Sequence, residues 1–79
     1  MVIKILGSGC ANCQTLEQRA REAAEKLGIE AEIVKVQDFA DIMRYGVMST
    51  PALVVDEEVK MAGRVPSVDE VADILAGAP

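Results

Sequence analysis

The stretch Val2-Ile3-Lys4-Ile5-Leu6-Gly7-Ser8-Gly9-Cys10-Ala11-Asn12-Cys13 decides how the chain is interpreted. Val2–Leu6 is short, β-branched and nearly all apolar, which is typical of a strand buried on both faces. Gly7-Ser8-Gly9 ends that strand and gives the backbone freedom to turn. The only two cysteines of the protein follow, two residues apart, where a long helical pattern begins. Two thiols in this position can form and break a disulfide, or they can hold a soft metal ion.

A helix is predicted from about Ala11 to Gly28, where a left-handed cap is expected to end it. Its apolar positions are spaced so that they share one helical face. These positions are Leu16, Ala20, Ala23, Ala24 and Leu27. Glu17 and Arg21 form an i,i+4 pair that we expect on the solvent side. A second β-branched stretch over residues 31–36 predicts a strand, and a strand, a helix and a strand with short connections imply a parallel βαβ unit.

The second half of the chain predicts two more helices and a hairpin. Asp38 has the character of a helix cap before the apolar stripe Phe39, Ile42 and Met43, and Gly46 ends this short helix. Two strands, 52–55 and 58–62, flank the turn residues Asp56-Glu57. Ser67-Val68-Asp69-Glu70 has the spacing of a capping box and opens a closing amphipathic helix. The resulting order is β-α-β-α-β-β-α. We therefore expect an α/β fold, a four-stranded mixed sheet flanked by helices, as one domain over residues 1–79.

The composition excludes several functions. The 79 residues include 8 basic and 13 acidic side chains, a net charge of −5, which disfavours nucleic acid as a partner. The chain lacks histidine, which excludes Cys–His hydrolysis and a histidine-ligated metal. No stretch has the pattern of a membrane span or a secretory signal, so we expect a cytoplasmic protein. The two aromatic residues, Phe39 and Tyr45, are expected at the edge of the core. Met43, Met48 and Met61 are expected inside it, unless Val47 and Met48 form an apolar rim.

The expected positions of the two cysteines suit disulfide exchange. Cys10 stands where a strand ends and a helix begins, and the unpaired N–H groups and the dipole of a helix start favour a thiolate. The thiolate is the species that attacks a disulfide. Cys13 would lie one turn deeper, close enough to resolve a mixed disulfide formed at Cys10. In a reducing cytosol, a Cys-x-x-Cys pair is expected to be catalytic, redox-sensing or metal-binding rather than a structural staple.

Three features together resemble the thioredoxin-like superfamily, in particular its small, glutaredoxin-sized members. They are Cys10-Ala11-Asn12-Cys13 after the first strand, Thr50-Pro51 before the third strand and Gly63 after the hairpin. The resemblance implies a thioredoxin-like fold and a cis Pro51 beside the disulfide. It also implies that the backbone of Thr50 pairs with an extended substrate, and that Gly63 belongs to the same substrate site. The implied function is a thiol–disulfide oxidoreductase without a bound cofactor or metal.

The same resemblance implies the partners. They would be disulfide-containing protein substrates and a flavoenzyme disulfide reductase, or another thiol reductant, acting on a monomer. The chain departs from larger thioredoxins at three places. Gly9 stands where they carry Trp, Ala11-Asn12 replaces Gly-Pro, and the second strand's apolar face offers no acid as a buried proton acceptor. The turn 63–67 also differs from that of glutathione-using relatives.

Two alternative functions use the same thiols. One is a soft-metal chaperone, since heavy-metal-associated domains also place Cys-x-x-Cys between a first strand and a first helix. Such domains usually have Met where this chain has Ser8, and they end in a strand, whereas this chain is predicted to end in a helix. The other alternative is a non-catalytic interaction domain whose thiols sense oxidants. We favour the oxidoreductase, with Cys10 as nucleophile and Cys13 as resolving thiol.

Overall fold

The computed structural model describes residues 1–7 and 11–77. The elements it contains are β1 (Val2–Leu6), α1 (Ala11–Leu27), β2 (Glu32–Val36), α2 (Phe39–Arg44), β3 (Ala52–Val55), β4 (Glu58–Ala62) and α3 (Val68–Gly77). This order is the one predicted from the sequence. Among the described residues, no helix is both long enough and apolar enough to cross a membrane.

The four strands form one mixed sheet in the order β2-β1-β3-β4. β1 pairs with β2 in parallel, with Val2 opposite Glu32, and with β3 in antiparallel. β3 and β4 form the antiparallel hairpin, whose register shifts once between Leu53 and Val54. The parallel βαβ unit and the hairpin are therefore both confirmed. β1 lies between β2 and β3, so its carboxyl end lies in the middle of one end of the sheet.

The hairpin turn is of a type that the sequence left undetermined. Asp56 and Glu57 both have positive φ, 48° and 70°, as in the type I′ turns that match the twist of paired strands. Asp56 also binds the start of β1 twice. Its N–H donates to the carbonyl of Val2 and its carboxylate accepts from the N–H of Val2, each over 2.9 Å. These bonds hold the turn against the first strand and compensate for the left-handed backbone.

Apolar clusters cover both faces of the sheet. Because strand side chains alternate, Ile3 and Ile5 point to one face and Leu6 to the other. The first cluster joins the sheet to α1 and α3, and its buried members are Ile3, Ile5, Leu16, Ala20, Ala23, Ala24, Leu53, Val55, Val71, Ala72 and Leu75. The second joins it to α2 through Leu6, Ile42, Val47, Ala52 and Val54. Burial of β3 at every residue follows from this arrangement.

Two apolar residues expected at or in the core lie on the surface instead. Phe39, expected at the core edge, is 75% exposed, and Met43, expected inside the core, is 49% exposed, so both predictions are wrong. The physical reason is the length of α2, which has six residues, of which Ile42 alone is buried against the sheet. Met48, beyond that helix, is 95% exposed, which excludes a core position and leaves the alternative of an apolar rim. Met61, by contrast, packs partly against the first cluster.

Tyr45 lies at the edge of the core, as expected, and is bound there by charged groups. Lys4 Nζ donates to the Tyr45 hydroxyl over 2.8 Å, lies 5.5 Å from its ring centroid and forms an ion pair with Glu57. The Tyr45 hydroxyl also contacts the Glu57 carboxylate at 3.2 Å. The hydrogen bonds that Lys4 donates to Glu57, and then to Tyr45, raise the pKa of Lys4 above its usual value. The end of α2 is thereby tied to the hairpin across β1.

The closing helix starts with the predicted capping box. The N–H of Glu70 donates to Ser67 Oγ over 3.2 Å, and the N–H of Ser67 donates to Glu70 Oε1 over 3.4 Å. Arg19 of α1 donates to the carbonyl of Pro66 over 2.9 Å, just before the cap. These bonds place α3 beside α1 on the first cluster.

We expect Ser67→Ala to destabilise the protein by about 1 kcal/mol, because an N–H of the first turn of α3 loses its acceptor. The change is measured as the free energy of unfolding in urea. Ser49→Ala, a serine outside the helices, is the matched control and should change stability by less. Equal effects of the two substitutions would contradict the role of the cap.

Candidate active site

The site begins at Gly7, the residue that directly follows β1. The N–H of Gly7 donates to the carbonyl of Val36 over 2.9 Å and so continues the pairing of β1 with β2. Cys13, in the first turn of α1, is 5% exposed. A methyl group on Gly7 would overlap Cys13 Sγ and lie 3.3 Å from Cys13 Cβ. Gly7 is therefore required for the close approach of α1 to β1, whereas the sequence had indicated only freedom to turn.

Thr50 and Pro51 lie beside this contact although they follow Cys13 by nearly 40 residues. The same methyl position on Gly7 is 3.9 Å from Thr50 Cβ. The Thr50–Pro51 peptide bond is cis, Pro51 is buried and Thr50 is exposed. The loop between α2 and β3 thus brings an exposed threonine to the buried sulfur.

Gly63 is joined to the site by a backbone hydrogen bond to Pro51. Its N–H donates to the Pro51 carbonyl over 2.9 Å, and its φ of 84° lies in the left-handed region that favours glycine. A Cβ at this position would come within 3.1 Å of Ser49 Cβ. Gly63 therefore supports the backbone on both sides of Thr50, and a direct contact with substrate remains a prediction.

An apolar groove of about 450 Å³ adjoins Thr50. It is lined by Gln37, Phe39, Ile42, Met43, Val47, Met48 and Thr50. The exposed residues of α2 are thus gathered next to the cis-proline loop. From sequence, only Val47 and Met48 had been considered as an apolar rim. The sequence pattern did not show how little of α2 would be buried. A helix of six residues cannot bury a full apolar stripe.

A second, much smaller cavity of about 40 Å³ lies beside Cys13, toward β2. It is lined by Ile5, Gly7, Cys13, Gln14, Glu17, Lys35 and Gln37. Of these, the carboxylate of Glu17 accepts from Arg21 at 2.9 Å and lies 3.3 Å from Lys35 Nζ. The Glu17–Arg21 pair is confirmed, but the Glu17 side chain is only 15% exposed and so does not lie on the solvent side. The hydrogen bond from Arg21, followed by that from Lys35, lowers the pKa of Glu17.

The predicted nucleophile, Cys10, lies outside the described residues. In the part of the chain that the structure describes, three or more His, Cys, Asp or Glu side chains do not come together in an arrangement that could hold a metal ion. The structure therefore brings Cys13, Thr50 and Pro51 together, with Gly63 behind them.

We expect Gly7→Ala to destabilise the reduced protein by about 1–3 kcal/mol, because the new methyl group overlaps Cys13 Sγ and forces α1 away from β1. The measurement is urea unfolding under reducing conditions. Gly77→Ala is the matched control, since a Cβ there meets nothing within 4 Å. If both variants were as stable as the wild type, the close packing at Gly7 would be contradicted.

Residues 1–76 match the family model described as a thioredoxin domain. A thioredoxin from Methanothermobacter thermautotrophicus is 49% identical over 76 residues, which cover 96% of this chain and 99% of that protein. A thioredoxin from Methanocaldococcus jannaschii is 40% identical over 75 residues, 95% of this chain and 86% of that protein. Full-length similarity of this kind, together with the fold, shows that the chain belongs to the thioredoxin family.

Proposed function

We propose that this protein is a thiol–disulfide oxidoreductase in which Cys10 is the nucleophile and Cys13 the resolving thiol. The observation that carries the proposal is the position of Cys13 Sγ, packed against Gly7 at the end of β1 and close to Thr50 of the cis Thr50–Pro51 pair. A sheltered thiol at this point can react only with a group held at the opening beside it. Cys10, three residues earlier in the sequence, is the thiol that brings such a group there.

The reaction follows from the chemistry of two thiols. Cys10 immediately precedes α1, and a helix start stabilises a thiolate. That thiolate attacks a substrate disulfide, forms a mixed disulfide and releases one substrate thiolate. Cys13 then loses its proton to solvent and its sulfur attacks the sulfur of Cys10, which forms the Cys10–Cys13 disulfide and releases the second substrate thiolate. The protein loses two electrons and the substrate gains them.

The partners we propose follow from the two relatives, which carry the name thioredoxin. The oxidants would be proteins with accessible disulfides, and the reductant a flavoenzyme disulfide reductase or another thiol reductant. A reducing compartment such as the cytoplasm is needed to keep the dithiol reduced between cycles. We propose that the protein acts there as a monomer.

The apolar groove next to Thr50 is proposed to bind the substrate segment that flanks the disulfide. Met48 and Phe39 are among the most exposed apolar side chains of the described residues, and a partner that covers them removes that apolar area from water. Thr50 lies at one end of this groove and near Cys13, so a segment in the groove can extend along its backbone toward the sulfur. Gly63 would act by holding Pro51 in place.

We expect Cys13→Ser to accumulate a mixed disulfide with insulin, whose disulfides are intact, because the bond formed by Cys10 is no longer resolved. Cys10→Ser should form none, because the remaining thiol is buried. Non-reducing electrophoresis measures the trapped species, with the double serine variant as the control. Equal trapping by both single variants, or trapping by neither, would contradict the assigned roles.

We expect Met48→Gln to lower kcat/KM for insulin reduction roughly fivefold to tenfold, since its apolar surface is no longer buried against the substrate. The rate with a small aromatic disulfide, which does not fill the groove, should stay the same. Leu27→Gln also replaces an exposed apolar side chain, but outside the groove, and serves as the control. Equal losses for Leu27→Gln and Met48→Gln would rule out a specific role for the groove.

A further inference from the structure

The four methionines of the chain divide into two pairs. Met1 and Met61 are partly buried and pack against the first cluster. Met43 and Met48 line the apolar groove next to Thr50, where they are 49% and 95% exposed. Methionine is common on surfaces that bind varied apolar partners, because its side chain is flexible and polarizable. Half of the methionines therefore lie on the surface proposed to receive the substrate.

Met48 is held at this groove by buried residues on both sides of it. Val47, directly before it, is 7% exposed and packs in the second cluster, and Pro51, at the end of the same loop, is buried. The segment is thus anchored at both ends, while the Met48 side chain extends into solvent beside Thr50. Thr50 in turn lies near Cys13. A chemical change at the Met48 sulfur would therefore alter the surface next to the reacting thiols.

The thioether distinguishes methionine from the other apolar side chains of the groove, because a peroxide can oxidise it. We propose that Met48 is a modification site at which hydrogen peroxide forms methionine sulfoxide, and that this sulfoxide closes the groove to protein substrates. In this step the O–O bond of the peroxide breaks and an S–O bond forms. The sulfur loses two electrons, and the second oxygen leaves as water with both protons. The inference rests on the proposed function, since it concerns the groove assigned there to the substrate.

A sulfoxide at Met48 opposes substrate binding because it makes an apolar contact polar. Water binds the sulfoxide oxygen while the groove is empty, and burying a polar group without a hydrogen bond is unfavourable. Most of the residues that line the groove are apolar. An apolar segment that covers Met48 offers no donor to replace the lost water. Met43 lines the same groove but is less exposed, so we expect it to be oxidised after Met48.

The change at Met48 outlasts the oxidation of the thiols. Peroxide also converts a dithiol to a disulfide, which a thiol reductant returns to the dithiol. Methionine sulfoxide requires a reductase of its own class. After exposure to peroxide, Cys10 and Cys13 would thus be reduced again while the groove stays polar. Small disulfides, which do not fill the groove, would still react at the thiols.

The test starts from the form with the Cys10–Cys13 disulfide, in which the thiols are protected from peroxide. Hydrogen peroxide is added until the protein carries on average one extra oxygen, which peptide mass spectrometry should locate mainly at Met48. The peroxide is removed, and the protein is then reduced and freed of reductant. We expect the second-order rate constant for insulin reduction to fall roughly fivefold to tenfold, because the groove no longer buries an apolar side chain. The rate with a small aromatic disulfide should stay the same.

Two matched variants assign the loss to one sulfur, each compared with its own untreated sample. Met48→Leu keeps an apolar side chain without a thioether, so peroxide should not change its rate with insulin. Met43→Leu should lose as much as the wild type does. Treatment of the oxidised wild type with a methionine sulfoxide reductase should restore the rate.

Three results would overturn the inference. They are an equal loss in Met48→Leu and the wild type, an undiminished insulin rate in protein that carries the sulfoxide at Met48, and an added oxygen found mainly on another methionine. An untreated wild type that does not reduce insulin would instead overturn the proposed function.

Discussion

The contact between Gly7 and the sulfur of Cys13 is the constraint on which the rest of the site depends. Residue 7 lies at the end of a central strand and residue 13 in the first turn of the following helix, and they meet only because one of them has no side chain. This contact sets how closely α1 approaches the sheet. It also sets the depth of Cys13, since the sulfur occupies the space that a side chain at residue 7 would need.

The two faces of the sheet contribute differently to the site. On one face, α1 and α3 bury a large continuous cluster, which makes a rigid base for the first turn of α1. On the other face, α2 is short and covers the sheet through a small cluster around Ile42. Its uncovered side leaves Phe39 and Met43 at the surface next to Thr50. A fully covered second face would have left no apolar groove beside the sulfur.

The two sides of Cys13 also differ in charge. The groove side is nearly without charge, whereas the side toward β2 holds Glu17 between Arg21 and Lys35. The second strand of this protein has no acid on its apolar face, and the mostly buried carboxylate near Cys13 comes from α1 instead. A helix can supply it because residues four apart share a face. The sequence showed the Glu17–Arg21 pair, but the burial of its acid became apparent only in the fold.

The sequence alone determined the order of the elements, the βαβ unit, the hairpin and the helix caps at Asp38 and Ser67, because these depend on local periodicity and on cap and turn residues. In the structure Asp38 Oδ1 accepts from the N–H of Ala40 over 2.8 Å, and Ser67 Oγ accepts from the N–H of Glu70. The sequence also pointed to Cys13 and to Thr50-Pro51 as parts of one site. Tertiary structure decided what depends on distant partners. The Asp56-Glu57 turn is held by bonds to β1, and the exposure of Phe39 and Met43 follows from the small area that α2 covers. Close approach at Gly7 and the cavity shared by Cys13 and Glu17 exist only once α1 packs on the sheet. No local pattern encodes that packing distance, because it is set by side chains that meet across the core.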